Sequence, residues 1–164
     1  MSRARDWVLL SYRLPREPST VRVAVWRKLK RLGVVQILDG LVALPADART
    51  RGQFEWIADE VLDASGEANV WMARLGSQDQ ERAFANQMSA VTSADYAAVI
   101  VEAREALDFD ETMRARALGR LRRELQRIRQ RDFFPPIERE QAEQAVGALA
   151  ASIAQMTNTE AGRT

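Results

Sequence analysis

The chain has 164 residues and a mass of 18.5 kDa, enough for one domain of ordinary size or two small ones. With 46% hydrophobic and 29% charged residues it has a globular balance, which excludes wholesale disorder. It contains no Cys and no His, so ordinary zinc sites, thiol or imidazole nucleophiles and Ser/His/Asp triads are all excluded. What remains is chemistry of carboxylates, Lys, Tyr or Arg, and binding without chemistry.

Charge is segregated along the chain although the net is only +1. Residues 1–33 carry nine cations and two acids, residues 34–113 five cations and fifteen acids, and residues 114–131 eight Arg and one Glu. Such blocks either neutralise one another inside the fold or between subunits, or offer a basic patch to an anion. The cations are nearly all Arg, which suits bidentate binding of phosphate or another oxyanion.

Trp7 to Leu14 is rich in aromatic and branched residues and ends at Pro15, so it predicts a strand. Val8, Leu10, Tyr12 and Leu14 fall on one face and Trp7 and Leu9 on the other, the pattern of a central strand covered on both sides. Val21, Val25, Leu29 and Leu32 repeat at helical spacing over Ser19 to Leu32, with Gly33 as the stop. Val34 to Leu38 and Leu41 to Leu44 flank Asp39-Gly40, a pair that favours a type I′ hairpin turn. A capping box at Thr50 and Gln53 opens a second helix carrying Phe54, Ile57, Ala58 and Val61 and stopping before Gly66. Ala68 to Leu75 returns as a strand. The order βαββαβ is the ferredoxin-like split motif, and all four Trp lie within it, as expected of a compact sheet-and-helix core.

The remainder reads as helical. Ser77 and Gln80 cap a helix with Phe84, Met88 and Val91, and Tyr96, Val99, Ile100, Ala103 and Leu107 mark a separate one. Leu118, Leu121, Leu125 and Ile128 define a long helix from about Glu111 to Arg131, closed by Phe133-Phe134-Pro135-Pro136, which anchor the helix end. Ala142, Ala145, Val146, Leu149, Ile153 and Met156 define the last helix, and NTEAGRT is expected to fray. The fold class is therefore α+β: a ferredoxin-like βαββαβ domain over residues 1–76 and a helical domain over 77–164.

Three sets of cations stand out. Arg27, Lys28, Lys30 and Arg31 form a ridge on the first helix, with Lys28 at the edge of the apolar stripe. Arg116, Arg120, Arg123, Arg127 and Arg131 lie opposite the leucines of the long helix. Each set either attracts a phosphate backbone or an acidic partner, or is a solvated face. Arg114, Arg122 and Arg129 fall on or beside the apolar stripe instead, where a guanidinium needs a partner: Glu102, Glu105 and Asp108 are the candidates, with a bound oxyanion as the alternative. The acids are scattered, so no metal site, cofactor or catalytic residue is assigned. Small nucleases of this fold type place a carboxylate at the end of the first strand, where this chain has Ser11-Tyr12-Arg13. The run from Trp7 to Leu10 is too short for a signal peptide, and the uncharged run Gln144 to Thr159 is short of a membrane span, so a cytoplasmic location is expected.

The stretch WVLLSYRLPREPSTVRVAVWRKLKRLG, the Asp39-Gly40 hairpin ending in Leu44-Pro45, QFEWIADEV and the later RDFF together resemble the N-terminal domain of the ChrB chromate-resistance regulators. The middle part of PaaX-type repressors is more distantly similar. The resemblance implies participation in chromate-responsive transcriptional control, with sensing left to a separate chromate-sensing domain; a non-enzymatic module with promoter DNA as a partner is what the basic helices and the missing catalytic constellations lead one to expect. A homodimer gripping DNA through the basic helices is the expected form. The competing expectation is a scaffold module that docks a sensing domain or a second copy without touching DNA.

Overall fold

The computed structural model describes residues 5–161, which divide into two compact units, one reaching to Met88 and the other starting at Ser89. The elements run β1 (Asp6–Arg13), α1 (Ser19–Leu32), β2 (Val35–Leu38), β3 (Leu41–Pro45), α2 (Ala48–Asp63), β4 (Glu67–Arg74), α3 (Gln78–Glu105), a 3-10 turn (Ala106–Asp108), α4 (Glu111–Gln130) and α5 (Glu138–Ala161). The class is α+β, and the division between the units falls inside α3.

In the first unit the four strands form one antiparallel sheet in the order β2-β3-β1-β4. This is the strand order of the split βαββαβ motif, with β1 in the middle as its two apolar faces require. Val8, Leu10, Val42 and Leu44 share one face and are fully buried. The helices supply Val25, Leu29, Phe54, Ile57 and Val61 to the same core, each such side chain contributing about 1.5–3 kcal/mol on burial. On the opposite face Trp7 is buried and meets Phe84 of α3 edge to face, ring centroids 5.4 Å apart.

The local signals differ from expectation at several points. Gly33 closes α1 as predicted, in the left-handed conformation, and donates its N–H to the Lys30 carbonyl. At the hairpin, however, only Gly40 has positive φ, whereas a type I′ turn needs it at Asp39 too, and the β2–β3 register shifts between Gln36 and Leu38. The cap of α2 is Asp47, not Thr50. Asp47 accepts from the Thr50 N–H at 2.7 Å, and the buried Thr50 hydroxyl accepts from the Asp47 N–H while donating to the Pro45 carbonyl at 2.8 Å. The box is reciprocal, with Thr at the third helical position in place of Glu or Gln. At the other end of α2 the left-handed residue is Ser65, and Gly66 is needed for space: a Cβ there would sit 2.5 Å from the Arg13 carbonyl oxygen. Of the four Trp, Trp7 is in the core, Trp26 is half-buried, and Trp56 and Trp71 are exposed.

Replacing Asp47 by Ala leaves the first N–H groups of α2 without their acceptor and should cost about 1 kcal/mol, read as a lower melting temperature; Asp47→Ser should recover most of it. The N–H of Thr50 holds the Asp47 carboxyl below the usual carboxylate range. Its contribution is therefore full above the unfolded carboxyl pKa and is lost as the pH falls through the folded one.

The second unit packs the later turns of α3, the 3-10 turn, α4 and α5 around Tyr96, Val99, Ala103, Ala117, Leu121, Leu125, Ile128, Val146 and Leu149. The two separate helices expected between Ser77 and Leu107 are one 28-residue helix, α3, and Val91 is exposed while Thr92 is buried. Asp110 caps α4 by accepting from the Met113 N–H at 2.9 Å. Asn158 to Ala161, expected to fray, continue α5; the rest of that tail lies outside the described residues. Among the described residues no helix is long and apolar enough to cross a membrane.

Candidate functional site

α1 forms because Val25 and Leu29 bury at helical spacing against the sheet, and that choice turns the opposite side of the helix to solvent. Arg27, Lys30 and Arg31 are exposed there and make no ion pair with any described residue. Lys28 differs from its neighbours: its Nζ donates to both oxygens of Glu60 on α2 at 2.6 and 2.7 Å, with both side chains half-buried. Three uncompensated cations within two turns therefore remain of the four expected. Lys30 and Arg31 also occupy the last turn of α1, where the helix dipole favours positive charge.

In the second unit the expected outward face of α4 divides by partner. Arg120 pairs with Glu102 of α3 at 3.0 Å and Arg127 with Glu124 of its own helix, while Arg116 and Arg123 are exposed and pair with no described residue. Arg131 does not belong to that face. Its side chain is 18% exposed and donates to Asp95 of α3 at 2.8 Å.

The three seam arginines also need correction. Arg114 does not use Glu102, Glu105 or Asp108; it donates to the carbonyls of Leu107 and Phe109 at the end of the 3-10 turn and reaches the Met156 sulfur. Free backbone carbonyls at a helix end satisfy a guanidinium as well as a carboxylate does. Arg122 is exposed and needs no partner, because α4 turns its side chain clear of the buried strip of Ala117, Leu121 and Leu125. Arg129 does find an acid, Glu143 of α5 at 2.8 Å, and shares it with Arg139. Those two guanidinium groups hold the Glu143 carboxyl below its ordinary range.

The RDFF turn holds a buried polar lock. The Asp132 side chain is fully buried, accepts from the Tyr96 hydroxyl at 2.9 Å and has Arg139 at 3.6 Å. Burial and the Asp132 carboxylate push the Tyr96 pKa far above its ordinary value, so this hydroxyl is a fixed donor. Together with Arg131–Asp95, it ties the end of α4 to α3, while Phe133 and Phe134 are half-buried beside it.

Two concavities of the first unit escaped the pattern of charges. A cleft of about 670 Å³ at the end of β1 is lined by Tyr12, Arg22, Val23, Trp26, Gln36 and Asp39, among others. Burial, then the nearby Asp39 charge, raises the Tyr12 pKa and keeps its hydroxyl neutral. A smaller groove of about 220 Å³ between α1 and α2 is lined by Leu32, Trp56 and Ile57, with Lys28 and Glu60 at its edge. The sequence signal for the cleft was the spacing of Arg22 and Trp26, one helical turn apart; Gln36 and Asp39 come from other elements and carry no such pattern. Among the described residues no three acidic side chains converge as a metal site.

A family model described as Protein ChrB, N-terminal, matches residues 22–115, from the first turn of α1 into α4. A Protein ChrB from Cupriavidus metallidurans is 34% identical over 133 residues, covering 79% of this chain and 40% of that relative. The chain thus spans well under half the length of the curated relative it matches. No solved structure matches it. With the matched region running through both units, the chain belongs to the ChrB N-terminal family.

Proposed function

We propose that this chain is a regulatory module of a chromate-resistance system that acts without catalysis and binds duplex DNA through the exposed ridge of α1. The observation that supports the reading is the set Arg27, Lys30 and Arg31, three neighbouring cations without ion-pair partners among the described residues, in a protein that pairs many of its other charges. Phosphate contacts supply most of the affinity of such proteins and need no buried site. Arg116 and Arg123 of the second unit are a separate set of exposed cations. A homodimer would double both sets, and the sensing of chromate belongs to a partner domain.

The test is a titration of the purified chain with promoter and random duplexes over a range of salt. Each neutralised phosphate contributes about −0.9 to the slope of log affinity against log salt, so the expected slope is about −3 to −6. Failure to bind either duplex at low salt would refute the DNA reading. Equal affinity for both would reduce it to charge attraction. A second reading, a module that docks a separate sensing domain or a second copy, is favoured by one observation: Trp56 is 77% exposed at the groove between α1 and α2.

A further inference from the structure

The cleft at the end of β1 is not used by the duplex reading of the α1 ridge, and its lining brings together charged, aromatic and polar side chains. Arg22 is exposed and pairs with no described residue, and Trp26, one turn further along α1, is half-buried. From the strands and the hairpin come Tyr12, Gln36 and Asp39, whose side chains carry a hydroxyl, an amide and a carboxylate. The volume of about 670 Å³ lies within the usual range for small-molecule sites. A guanidinium matches phosphate. An indole face takes a flat ring regardless of its identity. An amide that both donates and accepts, beside a carboxylate that only accepts, matches the edge of a base carrying an exocyclic amine. The neutral Tyr12 hydroxyl adds one further donor and acceptor.

We propose that this cleft binds one nucleotide unit, its base against Trp26, its phosphate on Arg22 and an amino-bearing base edge on Asp39 and Gln36. The proposal rests on the nucleic-acid reading of α1 and goes beyond it, because a base inside a duplex cannot enter a cleft of this kind. The ligand is an unstacked nucleotide, either free or within a single strand, and the chemistry is the same in both. The acceptor character of Asp39 makes adenine and cytosine preferred over uracil and thymine.

The test uses the full chain with AMP, CMP, UMP and adenosine by calorimetry, and short labelled oligo(dA) and oligo(dT) strands by anisotropy. AMP and CMP should bind more tightly than UMP. Arg22→Gln should weaken AMP by about tenfold and leave adenosine unchanged, since it removes only a charged phosphate contact. Trp26→Ala should weaken both by about tenfold, as loss of a stacking surface does. Arg22 is exposed, so its variant carries the test if Trp26→Ala fails to fold. Binding of AMP identifies the free nucleotide as ligand, and binding of oligo(dA) alone, lost in both variants, identifies a single strand; either supports the proposal. Neither probe contains a duplex, so the outcome is read independently of the duplex titration. The proposal is overturned if no probe binds saturably, if binding ignores both substitutions, or if UMP binds as tightly as AMP.

Discussion

Asp132→Ala should lower the stability of the second unit by roughly 3 kcal/mol. The carboxylate is fully buried, so removing it strands two groups: the Tyr96 hydroxyl, itself buried, loses its acceptor, and Arg139 loses its nearby charge. An unsatisfied buried hydroxyl costs about 1–3 kcal/mol, and the removed side chain leaves space besides. Asp132→Asn makes the argument specific. An amide still accepts from Tyr96, and its NH2 occupies the place of the Asp132 Oδ1, which has no hydrogen-bond partner. The Asn variant should therefore lose markedly less than the Ala variant in a thermal or urea melt. Equal losses would mean that the pairing with Arg139, not the bond to Tyr96, holds this turn.

Gly40→Ala should destabilise the first unit by about 2–4 kcal/mol, and Gly52→Ala, the same chemical change, should stabilise it by about 0.5–1 kcal/mol. Gly40 has φ +75°, and a Cβ there would lie 2.3 Å from the Tyr12 carbonyl oxygen, which is backbone and cannot swing away. The hairpin would have to separate from β1, to which Gly40 is tied by accepting from the Tyr12 N–H at 2.8 Å. Gly52 lies in α2 with nothing within 4 Å of an added Cβ, so only the backbone entropy of glycine is removed. Paired melts of the two variants should move in opposite directions.

What could be read from the sequence followed from how local each signal is. β1, α1 and the hairpin were legible because their apolar periods and the glycines at 33 and 40 lie within a few residues of the structure they determine. The break expected within α3 arose because Phe84 and Met88 lie on a stripe that shifts by roughly 70° relative to Tyr96, Val99 and Ala103. A shift in which side is buried resembles a new helix, but no Gly or Pro interrupts Gln78–Glu105, and the helix continues. The charge blocks showed where cations would gather without showing which were spoken for. Lys28 and Glu60 lie 32 residues apart, Arg131 and Asp95 36 apart, and Arg114 is satisfied by carbonyls that no side-chain pattern records. Beyond the spacing of Arg22 and Trp26 the cleft was illegible for the same reason, its walls coming from β1, α1, β2 and the hairpin turn.

If Arg27, Lys30 and Arg31 form a phosphate-binding ridge, the salt slope of the wild-type chain on duplex DNA should be steeper than that of the triple variant Arg27→Gln, Lys30→Gln and Arg31→Gln. All three side chains are exposed and pair with no described residue, so the variant should keep the wild-type circular dichroism spectrum and melting temperature. Its slope should become shallower by about 2.7, one phosphate for each lost cation, with affinity falling steeply at physiological salt. A folded triple variant whose slope and affinity match the wild type would show that these three cations do not hold the phosphates.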